Sequence, residues 1–412
     1  MRRGASGSLR SLRERNRERV VRTLRELGVA SRAEIARRSG LSRSTVSSLV
    51  ADLKDEGLIA ERAGGRGPRG AAGQSGRPPV LIGLSPSAGV VVGIDFGKRH
   101  LAVAVSDPSH EVLAESWREM PEDYAASHGM NTASELVEAA LEDAGVSHDR
   151  VLGVGLGLPG PIHRLTGMIG SPAILPGWVG IRVADEMAER LGLPIHVDND
   201  ANLGALSEFH WGAGRSSASL AYLKVATGIG AGLVVDGHLF HGAGGTAGEI
   251  GHTTIDENGP ICRCGRRGCL ETFAAGPALL ELLRPSLGPD LTLEDVLDRA
   301  VDGDPGCQRA IADAGRHIGQ AVGNLCNLIN PERIVVGGSM GAAGDVLLDP
   351  IREAVERAAI PSAAEDVAIV PGVLGERAEL LGAIGLVLHE GDRAPAQRVG
   401  EPIAAMAMPE PA

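Results

Sequence analysis

The sequence predicts an α/β protein in which a small basic helical domain precedes a larger body of alternating strands and helices. Residues 1–80 carry 18 Lys or Arg against 8 Asp or Glu, and they show short helical apolar patterns. A Gly-, Pro- and Arg-rich stretch follows, and then Val-, Ile- and Gly-rich strands alternate with helices to about His389. We therefore expect a helical domain of the winged helix-turn-helix kind, which binds DNA, at residues 1–63. A wing and linker should follow at 64–86, an α/β body at 87–390 and a disordered tail at 391–412.

The distribution of charge indicates which part of the chain meets a polyanion. The whole chain has a formal net charge of -12, whereas residues 1–80 have a balance of +10 and the remainder has 22 Lys or Arg against 44 Asp or Glu. A basic module on an acidic body is typical of a protein that binds nucleic acid through the basic part. The sequence has no run of about 18 apolar residues and no apolar signal core, so we expect a cytoplasmic protein without a membrane segment.

Three helices are predicted in the basic module. Apolar residues recur on one face of the first helix up to Gly28, which is a natural helix stop. The second helix begins at a capping box formed by Ser31 and Glu34, and the third begins at Ser42 after a turn that contains glycine. Two helices joined by such a turn are typical of a helix-turn-helix, whose second helix enters the major groove.

The polar face of the third helix supplies the candidate DNA contacts. Arg43 can reach a base edge or a phosphate, and the hydroxyls of Ser44, Thr45 and Ser47 can bond to either. Wing arginines such as Arg66 can follow the DNA backbone or enter the minor groove. A three-helix bundle that docks on another protein is the alternative interpretation.

The cysteines indicate a metal site. Three of the five cysteines lie within eight residues, and in a reducing compartment this crowding favours metal binding over disulfides. Three thiolates and one imidazole form a complete tetrahedral set for a structural Zn²⁺, although three reduced thiols without a ligand are the alternative. The predicted ligands are His252, Cys262, Cys264 and Cys269. Cys307 and Cys326 lie in a predicted helix and are expected in the core.

Polar residues and glycine turns end three predicted strands of the body. Exposed N–H groups in such turns can cradle phosphate, and carboxylates and amides are the acceptors that sugar hydroxyls need, although each could be an ordinary strand end. The candidate phosphate loops contain Asp95, Gly97, Thr227, Gly228 and Gly230. Asn199 and Asp200 form a third strand tip, and Glu249 and Glu271 flank the cysteine-rich knot, where a metal would orient both carboxylates.

The order of these motifs resembles the ROK family of repressors and sugar kinases from the helix-turn-helix to about residue 389. The resemblance implies a two-lobed, actin-like sugar kinase fold with the sugar between the lobes. It implies that the sugar contacts are Gly160, Asn199, Asp200, Glu249, His252 and Glu271. Asp200 occupies the position of the catalytic base, which in family kinases deprotonates the sugar hydroxyl that attacks ATP.

Two departures from the family pattern bear on function. Family kinases usually have Asp-x-Gly-Gly-Thr in the first phosphate loop, whereas Lys98, Arg99 and His100 follow Gly97 here. Loss of the second Gly and of Thr should weaken ATP binding, unless Lys98 and Arg99 supply charge to the phosphates instead. Residues 171–178 also lack the Asn that many family glucokinases place before Gly-Trp, which leaves the identity of the sugar open.

The function expected from these features is a sugar-responsive DNA-binding regulator, in particular a repressor of carbohydrate-metabolism genes. The alternative is an ATP- and Mg²⁺-dependent sugar kinase of the glucokinase type. The expected partners are operator DNA, a sugar or sugar phosphate, and further copies of the chain in a homodimer or homotetramer.

Overall fold

The computed structural model describes residues 9–62, 80–85, 89–122, 124–163, 167–169 and 176–390. The predicted tail at 391–412 and most of the predicted wing, including Arg66, lie outside these residues. Among the helices of the described residues, none is long and apolar enough to cross a membrane.

The N-terminal domain consists of three helices and a three-stranded sheet. Its elements are α1 (Leu9–Leu27), β1 (Val29–Ser31), α2 (Arg32–Ser39), α3 (Arg43–Asp55), β2 (Ile59–Arg62) and β3 (Leu81–Leu84). Strand β3 pairs antiparallel with both β1 and β2 and is the middle strand of the sheet. This strand lies within the segment predicted as wing and linker, so the small domain continues beyond residue 63 to residue 84. The wing is the hairpin formed by β2 and β3.

Side-chain caps define the two helices of the predicted helix-turn-helix. Ser31 Oγ accepts a hydrogen bond from the Glu34 N–H at 3.2 Å, but the Glu34 carboxylate bonds Arg37 instead of returning to Ser31. The predicted capping box is thus only half formed, because Arg37 lies one turn further on the same helix face and carries the opposite charge. Ser42 caps α3 by accepting from the Thr45 N–H at 3.1 Å, as predicted.

The first lobe of the body is built on a five-stranded sheet in the order β6-β5-β4-β7-β8. Its elements are β4 (Val90–Phe96), β5 (His100–Ser106), β6 (Val112–Glu119), α4 (Ala126–Asp143), β7 (Val151–Leu158), α5 (Val183–Leu191) and β8 (Ile195–Asn199). Strands β4, β7 and β8 are parallel, so the residues at their C-terminal ends meet at one edge of the sheet. Trp178, in the short 3-10 turn Pro176–Trp178, is fully buried against Phe96 and Tyr124.

The second lobe repeats this arrangement with the sheet order β11-β10-β9-β12-β13. After α6 (Asp200–His210), its elements are β9 (Leu220–Val225), β10 (Ile229–Val235), β11 (His238–Leu239), α7 (Glu271–Ala274), α8 (Gly276–Leu287), α9 (Leu293–Val301), α10 (Pro305–Ile329), β12 (Arg333–Gly337), α11 (Asp345–Ala358), α12 (Pro361–Ala364), β13 (Ala368–Pro371) and α13 (Ala378–Gly385). Cys307 and Cys326 are fully buried on α10, which confirms their predicted place in the core.

Helices α6 and α13 form the layer between the two sheets. Helix α6 packs on β9 and β10, while α13 packs on β4 and β7, and the two helices pack against each other. Glycines permit the close approach: a side chain on Gly155 of β7 would overlap the backbone of Ala383, and one on Gly232 of β10 would overlap that of Ala201. The two lobes therefore share this helix pair, which positions the edges of both sheets around one cleft.

Candidate ligand cleft and metal centre

A cavity of about 420 Å³ lies at the strand ends where the two lobes meet. It is lined by all the residues that sequence analysis assigned to sugar or phosphate binding. These are Asp95, Gly97, Gly160, Asn199, Asp200, Thr227, Gly228, Gly230, Glu249, His252 and Glu271. The fold thus brings together residues from both lobes, as expected for a ligand cleft between them.

Asn199 fixes the strand tip that carries Asp200. Its side-chain oxygen accepts from the N–H groups of Ala201 and Asn202 at the start of α6, and its amide nitrogen donates to the carbonyl oxygen of Gly160 at 2.9 Å. Gly160 has a φ of +92°, which a residue with a side chain rarely adopts. The Asn199 amide therefore holds the loop after β7 against α6, in addition to lining the cleft.

Asp200 is engaged by a lysine that sequence analysis did not single out. Lys224 Nζ lies 2.9 Å from Asp200 Oδ2 and 3.3 Å from Glu379 Oε1. Burial lowers the pKa of Lys224, but the charges of Asp200, Glu379 and Asp95 outweigh it and hold this pKa well above its ordinary value. Lys224 therefore stays protonated and neutralises the carboxylate at the predicted catalytic position.

His100 fills the space over the first candidate phosphate loop. Its Nε2 lies 2.9 Å from Asp95 Oδ2, and a Cβ placed on Gly97 would overlap the imidazole. Burial lowers the pKa of His100, but the hydrogen bond with Asp95 and the charge of that carboxylate outweigh burial and raise it. Trp117, 63% exposed on the neighbouring strand, stacks nearly parallel to the imidazole. This loop therefore holds a side chain where close backbone approach to a phosphate would be needed.

Glu249 and Glu271 differ in the contacts that their carboxylates make with neighbouring groups. Glu271 bonds Arg263 at 2.8 Å and accepts from the Ile229 N–H at 3.2 Å. Burial, with the charges of Asp200 and Glu271, raises the pKa of Glu249 to about 7. A carboxyl group with this pKa can both donate and accept hydrogen bonds near neutral pH, as a sugar hydroxyl requires.

The predicted metal ligands converge next to the cleft. The ligand atoms of His252, Cys262, Cys264 and Cys269 all lie within 4.8 Å of one another. Cys264 Sγ is 3.7 Å from Cys269 Sγ, and Cys262 Sγ is 3.6 Å from His252 Nδ1. Metal–sulfur bonds of about 2.3 Å in a tetrahedron give ligand separations of about 3.7 Å. The donor set therefore fits a tetrahedral metal ion.

The same histidine joins the metal centre to the cleft. His252 faces the cysteines with Nδ1, while its Nε2 lies 3.9 Å from Glu249 Oε2 in the cavity. Gly265 and Gly268 have positive φ in the knot, and a side chain on Gly268 would overlap the Asp256 carbonyl group. The two glycines thus allow the tight loop that the sequence predicted.

The N-terminal end of α3 presents the candidate DNA-contact surface. Arg43, Ser44 and Ser47 are exposed, whereas Thr45 is half-buried. The hydroxyls of Ser44 and Thr45 both lie within hydrogen-bond distance of Ser42 Oγ, at 2.9 and 2.8 Å. Of the predicted contacts on this helix, Ser44 and Thr45 therefore also interact with the helix cap.

Several titratable residues that line the cleft were absent from the sequence-based site, among them Lys224, Glu379, His100 and Arg263. Lys224 is the one charged residue of the otherwise apolar strand β9, and Glu379 begins the apolar helix α13. A single charge in an apolar element is a signal of a buried ion pair, and it could have identified both residues.

Comparisons with known proteins agree with this architecture. Residues 91–390 match the ROK family, and residues 13–60 match a winged helix-turn-helix DNA-binding family. The chain is 30% identical to the xylose repressor of Caldicellulosiruptor bescii over 394 residues, which cover 92% of this chain and 96% of the relative. It is 35% identical to a glucokinase of Halalkalibacterium halodurans over 317 residues, which cover 73% of this chain and 95% of that enzyme.

A solved structure resembles both parts of the chain. The crystal structure of a ROK family transcriptional regulator, described as a homologue of the Escherichia coli MLC protein, superimposes with a TM-score of 0.73 at 25% sequence identity. The match covers 92% of this chain and 97% of that structure. The family match spans the body, and the cleft and cysteine knot lie within it. This chain is a member of the ROK family.

Proposed function

We propose that this protein is a sugar-responsive DNA-binding transcriptional repressor. The observation that carries the proposal is that the exposed polar face of α3 and the acceptor-rich cleft belong to one chain, whose repressor relatives match it over more than nine-tenths of its length. The winged domain binds operator DNA through Arg43, Ser44, Thr45 and Ser47, with wing arginines such as Arg66 on the backbone.

The ligand of the cleft is an aldose, and D-xylose is the first one to test. Gly160, Asn199, Asp200, Glu249, His252 and Glu271 form the sugar-contacting set. Carboxylates and an imidazole around one cavity match the alternating donors and acceptors of a polyol. Two relatives that match over nine-tenths of this chain are a named and a putative xylose repressor, while glucokinases match the body alone, so D-glucose is the comparison sugar.

The metal of the Cys3His knot is Zn²⁺ in a structural role. All four positions are supplied by protein, so no site is left for a reacting water. The ion holds the loop after β11 and the start of α7 together and so orients His252 and Glu271. It takes no part in a reaction.

ATP-dependent sugar phosphorylation is the second candidate function, because Asp200 lines the cavity at the position of a kinase base. Two contacts oppose it. Lys224 neutralises Asp200. His100 fills the first phosphate loop, which is formed by Asp95 and Gly97. Only the second loop, formed by Thr227, Gly228 and Gly230, then remains open to a phosphate among the candidate loops. We expect ADP release with sugar and ATP to stay at the buffer rate, and the double substitution Lys98→Gly with Arg99→Thr to raise ATP affinity.

The test of the repressor function is DNA binding by the full-length protein with and without sugar. Fluorescence anisotropy with DNA from upstream of the gene's own operon, at fixed salt, should give tight binding that D-xylose changes by about tenfold or more. A DNA affinity that neither D-xylose nor D-glucose alters would contradict the proposal. Sedimentation of the complex tests the expected dimer or tetramer.

A further inference from the structure

Helices α6 and α13 each begin in the cleft and run toward the side of the body that carries the N-terminal domain. Asp200 starts α6, and Glu379 lies in the first turn of α13, and both groups face the cavity. At the other ends, α6 finishes at His210, and α13 continues into the π-helical turn Leu386–Glu390. Because α6 has 11 residues, it connects two regions about 16 Å apart.

The cleft ends of the two helices are held together by one side chain. Lys224 bridges Asp200 on α6 and Glu379 on α13, at 2.9 and 3.3 Å. A sugar hydroxyl that bonds Asp200 competes with Lys224 for the same carboxylate. Ligand binding therefore acts directly on the contact that joins the two helices at this end.

The helices are packed too closely to move independently. A side chain on Gly382 of α13 would overlap the backbone of Leu203 on α6, and one on Gly385 would lie 2.9 Å from the ring of Trp211. At the far end, the rings of His210 and His389 stack at 3.7 Å with an interplanar angle of 5°. Close-packed elements of this kind shift as a unit rather than deform.

The far end of the pair contacts the turn between β5 and β6. Trp211 Nε1 donates a hydrogen bond to His110 Nδ1 at 2.7 Å. This turn is rigid, because Asp107 Oδ1 accepts from the N–H groups of Ser109 and Glu111 and from the Ser109 hydroxyl. His110 itself has a φ of +70°, a conformation that the surrounding contacts must hold in place.

The same turn touches the N-terminal domain at two glycines. A Cβ on Gly28, which follows α1, would lie 2.8 Å from the Ser109 carbonyl oxygen and 2.7 Å from His110 Nδ1. A Cβ on Gly83 of β3 would lie 3.2 Å from Ser109 Cβ. Helix α1 also packs against the turn Leu386–Glu390. The N-terminal domain therefore contacts the segment that continues α13 directly, and it contacts the end of α6 through the turn between β5 and β6.

We propose that α6 and α13 act as one unit that transmits sugar occupancy of the cleft to the DNA-binding domain, with Lys224 as the clamp at the cleft and the Trp211–His110 hydrogen bond as the output contact. The inference deepens the proposed function and rests on it. Sugar shifts the equilibrium between two positions of the helix pair by its differential affinity for them. The output contact then changes the placement of α1 and the sheet of the small domain.

The first experiment measures the environment of Trp211, at the end of α6, and needs no sugar. The full-length protein has three tryptophans, so labelling with 5-fluorotryptophan gives three fluorine resonances, and Trp211→Phe identifies that of Trp211. Replacing the clamp in Lys224→Gln should move the Trp211 resonance. Arg316→Gln, on the exposed face of α10, is the control and should leave it in place. An unmoved Trp211 resonance in folded Lys224→Gln overturns the inference.

The second experiment separates ligand binding from its transmission. His110→Gly removes the ring acceptor while keeping a residue that tolerates positive φ, and Trp211→Phe removes the donor. Both variants should bind D-xylose within about twofold of wild type by calorimetry. The factor by which D-xylose changes their DNA affinity should nevertheless be smaller than that of wild type by about fivefold or more. His128→Asn, exposed on α4, should keep the full change.

The outcomes distinguish the inference from the function on which it rests. A full sugar response in both His110→Gly and Trp211→Phe would refute transmission through this contact. If neither D-xylose nor D-glucose binds the wild type, the proposed ligand class fails, and the comparison of Lys224→Gln with wild type still decides whether the cleft and the output contact are coupled.

Discussion

His252 and Glu249 face each other across the border between the cysteine knot and the cleft. The imidazole Nε2 lies 3.9 Å from Glu249 Oε2, while Nδ1 of the same ring faces Cys262 Sγ at 3.6 Å. A metal bound through Nδ1 fixes the tautomer, with the proton on Nε2, and the direction in which this proton points. A metal in the knot would therefore control the geometry of His252 in the cleft, although the three cysteines do not line the cleft.

Zinc removal should weaken both the fold and the cleft. We expect about one Zn²⁺ per chain, and we expect Cys264→Ser to lower zinc content, thermal stability and sugar affinity together, because His252 loses its anchor. Metal analysis, thermal unfolding and calorimetry measure the three effects. Cys307→Ser, at a buried cysteine outside the knot, is the matched control and should keep the metal. A metal-free native protein would contradict the assignment.

Asp200→Asn should lower sugar affinity while keeping the size and shape of the side chain. The substitution removes the charge and one acceptor, and the expected loss is roughly 1.5 to 3 kcal/mol, or about 10- to 150-fold in the dissociation constant. Titration calorimetry with D-xylose measures it. Asp185→Asn, on the exposed face of α5, removes an equal charge away from the cleft and should have no effect. Equal affinities of wild type and Asp200→Asn would rule out this contact.

Arg43→Ala should weaken specific DNA binding. Removing a side chain that reads a base from the start of α3 costs about 1 to 3 kcal/mol of binding free energy and relaxes specificity at one operator position. Arg66→Ala should instead reduce binding to all sequences alike and lower the slope of log affinity against log salt by about one. Anisotropy titrations at several salt concentrations distinguish the two effects. Arg190→Ala on α5 should leave both quantities unchanged.

His210 should make the protein sensitive to acid. Burial, together with neighbouring His110, lowers the pKa of His210 to about 3 from an ordinary value of 6.5. The unfolded chain therefore binds a proton that the folded chain refuses, so the free energy of unfolding falls as pH drops below 6.5 toward 3. Between about pH 7.5 and 5.5, wild type should lose on the order of 1 kcal/mol more than His210→Gln in urea unfolding. Equal losses of unfolding free energy in wild type and His210→Gln would show that folding does not lower the pKa of His210.

Features whose residues lie close together in the sequence could be predicted from their spacing. Contacts between residues far apart in the sequence could not. The helix caps and the cysteine knot were predictable because their partners lie close in sequence, three residues apart in the caps and within 17 positions in the knot. The His110–Trp211 hydrogen bond joins residues 101 positions apart, and only the packing of α6 against the first lobe brings them together. The single charge in apolar β9 marks Lys224 as a residue of a buried ion pair, but the sequence does not show that its partners are Asp200 and Glu379.

The direction of β4 determines where any domain attached before it must lie. Strand β4 runs parallel to β7 and β8 and ends in the cleft at Asp95, so it starts at the opposite side of the sheet, where α6 and α13 finish. Each of these helices follows the last strand of its own lobe, so they are the equivalent elements of a duplicated fold. Under the proposed transmission, a domain fused before β4 in this architecture would lie where it can respond to the ligand of the cleft. A foreign domain joined at residue 89 would be placed beside the same two helix ends.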